Sequence, residues 1–187
     1  MRIIKVLIAS PSDVGEERKI AEEVIRDWNV RHDGKEEIVL EAVLWESHTA
    51  PDSSDRTQGI INKKIVDKCH CAIGIFWTRC GTDTGVAPGG AVEEVERMMG
   101  KGKHVMLYFS DIPAIRKKID KDQETKLDAF KEKIRPKALT YDFPDREDFR
   151  YKLSHHLELQ IREWFIDPTT QPTALPKPDN AADLQCY

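Results

Sequence analysis

The sequence predicts an α/β fold: a five-stranded parallel sheet with helices on both faces, in the flavodoxin-like strand order 2-1-3-4-5. Two observations carry this. Short, β-branched, nearly continuous apolar runs recur along the chain, as buried parallel strands do. Segments of helical apolar period separate them, and strands that alternate with helices form parallel sheets.

The opening Arg2-Ile-Ile-Lys-Val-Leu-Ile-Ala9 is the first strand, and Ser10-Pro-Ser-Asp-Val14 stops it. Ser12 or Asp13 is the expected N-cap of a helix over about 14–31, with Glu16 and Glu17 near the positive end of its dipole. Its apolar stripe is Ile20, Ala21, Val24, Ile25 and Trp28, and Asp33-Gly34 ends the unit. Residues 37–45 are the second strand, followed by a polar loop over 46–57 and a helix over about 57–68. The apolar run 71–77 is the third strand, 78–90 a glycine-rich loop, 91–99 a helix closed by Gly102, and 104–109 the fourth strand. The charged stretch 113–134 reads as one or two surface helices, with Ile115, Ile119, Leu127, Phe130 and Ile134 as its stripe. A short fifth strand spans 139–143. The last helix starts at Asp145 and carries Phe149, Leu153, Leu157, Ile161 and Trp164-Phe165. Residues 1–166 thus form one domain, and 167–187, with four prolines, form an extended, mobile tail.

Composition narrows the function. Of 187 residues, 40% are hydrophobic and 33% charged, a globular balance. A chain this long buries about 70% of its unfolded surface and needs no staples. The net charge is −4, from 29 Lys+Arg against 33 Asp+Glu, which argues against a nucleic-acid binder. Mean hydropathy is −0.55, and no run approaches the roughly 20 apolar residues of a membrane helix. The start has no secretory-signal pattern. Four cysteines make no disulfide framework, so the expected compartment is the reducing cytoplasm.

In such sheets ligands bind beyond the carboxyl ends of the strands, where strand order reverses. That rule selects Ser10, Ser12 and Asp13 after the first strand, and Trp45, Ser47, His48, Asp52 and Arg56 after the second. It selects Trp77, Arg79, Gly81, Thr82 and Thr84 after the third, and Ser110 and Asp111 after the fourth. Trp45 and Trp77 sit where they either cover a flat ring or pack half-buried. The loop Arg79-Cys-Gly-Thr-Asp-Thr-Gly-Val-Ala-Pro-Gly-Gly90 runs into a helix, whose N-terminal amides suit anions. It is neither a dinucleotide fingerprint nor a P-loop. Glu93, Glu94 and Glu96 follow in the first turns. For Glu93 or Glu96 a solvated face that complements the helix dipole is the simpler reading. Cys69 and Cys71 read as core cysteines, because no second ligand pair has zinc spacing. Cys80 is a candidate reactive thiol in a polar loop. His155-His156 reads as a surface or interface pair.

Taken together, Val6-Leu-Ile-Ala-Ser-Pro-Ser-Asp-Val-Gly-Glu-Glu-Arg18, the run from Asp67 through Cys71-Ala-Ile-Gly-Ile-Phe-Trp-Thr-Arg-Cys-Gly-Thr-Asp-Thr-Gly85, and Gly89-Gly-Ala-Val-Glu-Glu-Val-Glu-Arg97 resemble a bacterial TIR-like domain family of otherwise uncharacterised function. The resemblance covers about 3–165. That family is similar to TIR domains and to nucleoside 2-deoxyribosyltransferases, which carry a glutamate just after the third-strand loop. Gly90-Ala-Val-Glu-Glu94 fits the transferase spacing, as does Gly102-Lys103 before the fourth strand. Ala91 replaces a threonine and Met98 a small residue, so the hydroxyl that serves the transferases' sugar contacts is missing.

The resemblance places catalysis on Glu94, with Glu93 second. It implies cleavage of the N-glycosidic bond of NAD or a related nucleotide, by hydrolysis or by formation of a cyclic signal, in antiphage defence. NAD is then a substrate, and no cofactor or metal is expected. Ser10, Asp13, Trp45, Arg56, Trp77, Arg79, Gly81, Thr82 and Thr84 are the expected substrate contacts. The implied partners are a second copy of the chain and a separate sensor chain, with no membrane. The other readings are a non-catalytic nucleotide-binding or assembly module, and base exchange of the deoxyribosyltransferase kind.

Overall fold

The computed structural model describes residues 1–44, 65–115 and 119–166. Five strands, β1 (Arg2–Ala9), β2 (Ile38–Val43), β3 (Cys71–Phe76), β4 (His104–Ser110) and β5 (Thr140–Phe143), form one sheet in the order β2-β1-β3-β4-β5. All four pairings are parallel. The strand order is the expected one, and it places the switch point between β1 and β3. Every residue of β3 is buried, as a central strand requires.

Helices α1 (Gly15–His32), α2 (Gly90–Gly100), α3 (Lys121–Ile134) and α4 (Arg146–Ile161) cover the sheet. Two cores result. Trp28, Val24 and Ile25 of α1 join Phe149, Leu153 and Leu157 of α4 over Ile4, Val6, Ile73 and Tyr108. On the other face Val92, Val95 and Met98 of α2 join Leu127, Phe130 and Ile134 of α3 over Leu7, Ala72, Phe76 and Phe109. Each such buried side chain contributes roughly 1.5–3 kcal/mol.

Several boundaries differ from expectation. The α1 N-cap is Val14, with no side-chain bond; Asp13 instead turns toward the loop after β3. Glu17 does not lie on a solvated first turn: it is 3% exposed, and Arg146 of α4 donates to it at 2.7 Å. Residues 66–68 form a short 3-10 turn, while the rest of the helix expected over 57–68 falls mostly outside the described residues. Among the described residues of the charged stretch only Lys121–Ile134 is helical, and Ile115 is 64% exposed rather than part of the stripe. Trp164 and Phe165 lie in a π-helical turn, Arg162–Ile166. Residues 167–187, the expected tail, lie outside the described residues. Among the described residues no helix is long and apolar enough to cross a membrane.

Two glycines set how closely α2 approaches the sheet. A Cβ on Gly74 would stand 2.7 Å from Leu107 Cδ2 and 3.1 Å from Val95 Cγ2. A Cβ on Gly89 would stand 2.1 Å from the Cys80 carbonyl oxygen, a backbone atom with no rotamer to give. The far end of α2 is clamped by charge. Arg97 donates to both Asp67 carboxylate oxygens at 2.7 Å, Lys101 Nζ lies 2.7 Å from Asp67 Oδ1, and Lys103 donates to the Asp67 and Cys69 carbonyls. The Arg97 hydrogen bond is the main reason the Asp67 carboxyl is held well below the usual carboxylate range.

Gly89→Ala is expected to lose on the order of 1–3 kcal/mol, seen as a thermal midpoint lowered by about 2–4 °C per kcal/mol. An unchanged midpoint refutes the close-approach account. Because the Asp67 pKa is depressed in the fold, its contribution is present above the unfolded value, near 4, and is lost as pH falls through the folded value. Asp67→Asn is therefore expected to cost about 1 kcal/mol at neutral pH. Denaturant melts at stepped pH should show the gap to the parent narrowing below about pH 4, and a gap that widens there contradicts the clamp.

Candidate functional site

The loops that leave β1 and β3 meet at the switch point. Asp13, after β1, accepts from both the backbone amide and the hydroxyl of Thr78 at 2.9 Å through Oδ2. Its Oδ1 is buried and has no hydrogen-bond partner among the described residues. Ser10 is buried; its hydroxyl accepts from Arg18 Nε at 2.8 Å, and Arg18 also donates to the Pro11 carbonyl at 3.0 Å. The first loop is therefore braced from α1.

The β3 loop folds back over the start of α2. Gly81, at φ 98°, takes a left-handed conformation that suits glycine. Its missing Cβ would lie 3.4 Å from the Gly90 nitrogen, 3.6 Å from that of Ala91 and 3.9 Å from Pro11 Cβ. The Gly90 amide donates to the Thr82 carbonyl at 3.0 Å. The first amide expected to meet an anion is thus capped by the chain's own backbone. Thr84 is also committed inward: its hydroxyl meets Glu93 Oε2 at 2.5 Å and accepts from the Ala87 amide at 3.1 Å.

Glu93 does not lie on a solvated face. It is 7% exposed and Glu94 4%, both on the first turns of α2. Burying one carboxylate is costly unless it is paired or hydrogen-bonded, and here two neighbours are buried. Glu96 matches the bland expectation: it is partly exposed and paired with Lys133 at 2.6 Å.

The other expected contacts divide. Trp77 is half-buried against the core and donates from Nε1 to the Ile112 carbonyl at 2.7 Å, so it packs in the wall of the site. Arg79 lies at the loop surface, 3.6 Å from Asp120, and Thr82 is exposed. Trp45 and Arg56, with Ser47, His48 and Asp52, lie outside the described residues. Ser110 is buried and its hydroxyl accepts from the Ile112 amide, whereas Asp111 is exposed.

Cys80 is corrected. It is fully buried, burial pushes its thiol up to about 11, and its amide donates to Gln123. A thiol so shifted is not a thiolate nucleophile at neutral pH. Cys69 and Cys71 are buried in the two cores. His70 accepts from the Lys5 amide through Nδ1. Among the described residues no group of three or more His, Cys, Asp or Glu is placed to hold a metal ion. Two residues that sequence reasoning missed at the site are Arg18, which braces Ser10, and Thr78, the partner of Asp13. For Arg18 the signal was an arginine one turn into α1, within reach of the preceding loop.

The chain belongs to the family described as Domain of unknown function (DUF4062), whose match spans residues 5–158. Comparison with curated proteins finds no match.

If Thr84 holds Glu93, Thr84→Val leaves a buried carboxylate short of a donor, at a cost of about 1–3 kcal/mol. Thermal melts should show Thr84→Val clearly less stable than Thr84→Ser, which keeps the hydroxyl. Equal midpoints for the two variants would remove the assignment.

Proposed function

We propose that this chain is a TIR-like enzyme that cleaves the N-glycosidic bond of NAD or a related nucleotide, with Glu94 as the carboxylate that faces the ribose. The observation that carries this reading is the pair of buried glutamates on the first turns of α2, where the β1 and β3 loops meet. Clefts at that point of a parallel sheet are where such folds bind ligands. Buried ionisable groups are concentrated at working sites.

The chemistry needs little else. The bond from ribose C1′ to the nicotinamide nitrogen breaks, and the electron pair goes to a ring that was cationic and leaves neutral. The sugar passes through an oxocarbenium-like state that a nearby carboxylate stabilises. Water then adds at C1′ and releases a proton, giving ADP-ribose and nicotinamide. If a hydroxyl or ring nitrogen of the same molecule adds instead, the product is cyclic. In this reading Glu93, held by Thr84, fixes the first turn of α2, and Glu94 does the electrostatic work. Asp13 serves by holding Thr78 and the β3 loop, and Arg79, at the loop surface beside Asp120, meets phosphate. The family resemblance adds self-association, a sensor partner and a role in antiphage defence.

A second reading has support of its own. The Thr82 carbonyl caps α2, and the Thr84 hydroxyl is already engaged, which suits a non-catalytic nucleotide-binding or assembly module.

Full-length chain, concentrated to drive self-association, should release nicotinamide from NAD in a mass-resolved assay. Glu94→Gln is expected to slow release by on the order of a hundredfold or more. Undiminished release by Glu94→Gln rejects the assignment. Binding of NAD without turnover by the parent selects the module, and exchange of bases between deoxynucleosides selects transferase chemistry.

A further inference from the structure

A cavity of about 610 Å³ lies at the sheet edge between β4, β5 and α4, away from the switch point. It exists because β5 is short. Pairing of β4 with β5 starts only at Leu107 and Thr140, so the first half of β4 has no strand beside it there. The volume falls within the range of small-molecule sites.

Its lining is mixed in a specific way. Tyr141 and Trp164 are part-exposed aromatic side chains of the wall; Trp164 stacks on His104 with ring centroids 4.4 Å apart, and Tyr108 is buried. Met106, Leu107 and Leu159 supply apolar walls. The polar groups of the wall are Thr140, Gln160 and His156, whose Nδ1 shares a 2.9 Å hydrogen bond with the buried Tyr108 hydroxyl. Of the pair expected at a surface or interface, His155 is exposed and His156 is a half-buried part of this wall.

Charge decides the ligand class. The whole chain is net acidic, yet among the described residues that line the cavity none is Asp or Glu, and two are lysines. Lys103 is held by two carbonyl oxygens and forms no ion pair with a carboxylate among the described residues. Lys137 is exposed and has no ion-pair partner among the described residues. Aromatic walls favour a flat ring. An unneutralised cationic rim favours an anion.

We infer that this cavity is a binding site for a small aromatic anion: a flat ring laid against the part-exposed Tyr141 and Trp164, with its negative group at the Lys137 rim. This inference is independent of the proposed cleavage reaction.

Amide-resolved NMR of the full chain, titrated separately with AMP, naphthalene sulfonate, adenosine and inorganic phosphate, tests it. Saturable shifts are expected at 103–108, 137–141 and 156–160 with the two aromatic anions. Adenosine and phosphate should each bind at least about tenfold more weakly. Lys137→Glu, an exposed change, should weaken both aromatic anions by about fivefold or more. The inference is overturned if neither aromatic anion shifts these amides saturably, if shifts appear only at 10–13 and 78–90, if adenosine matches AMP, or if Lys137→Glu binds like the parent.

Discussion

The candidate site depends on how closely one loop lies against one helix start. Gly89 sits so near the Cys80 carbonyl that no side chain fits, and Gly81 covers the first amides of α2. That contact closes the β3 loop over the helix and lets the Thr84 hydroxyl reach Glu93. Without it the first turn of α2 would open to water, and Glu93 would be an ordinary surface carboxylate. The burial of Glu93 is thus a property of backbone proximity and not of helix propensity.

Helix α2 is held at both ends by different physics. At its N-terminus a backbone bond to Thr82 and the Thr84 hydroxyl on Glu93 hold it; at its C-terminus Asp67 gathers Arg97 and Lys101, while Lys103 ties the next turn to the carbonyls before β3. Between them Val92, Val95 and Met98 are fully buried. A helix pinned at both ends and packed along its length has little freedom to rotate. Pinning of this kind is what a site needs if a carboxylate is to keep its direction against a reacting sugar.

Much of this was legible in the sequence, and the reasons for the rest are physical. The five strands were readable because buried parallel strands are continuously apolar. The Gly89-Gly90 doublet marked the loop, and the spacing of Gly90 to Glu94 singled out Glu94. Contacts between residues far apart were not readable. Asp13 looked like a local N-cap, but its partner Thr78 is 65 residues away. Cys80 looked exposed because its loop is polar; the turn of that loop onto Gln123 and Gly89 buries it. Glu93 looked solvated because only the folded loop brings Thr84 to it. The edge cavity had no sequence signal, since it follows from where β5 begins relative to β4.

The two candidate sites share one element, which constrains how they relate. Met99 and Lys103, at the end of α2 and just beyond it, line the edge cavity, and Lys103 also belongs to the clamp around Asp67. The glutamates lie at the opposite end of the same helix. A ligand that displaced the Asp67 or Cys69 carbonyl from Lys103 would loosen the clamp, whereas one that took its third donor would not. A ligand held at Lys137 alone would leave the clamp intact. Coupling between the ends therefore requires a differential contact at Lys103, because a ligand shifts an equilibrium only by its unequal affinity for the two states. The carbonyl bonds of Lys103, at 2.8 and 2.5 Å, are short and well placed. They favour the rim lysine as the anion's partner and keep the edge cavity energetically separate from the glutamates.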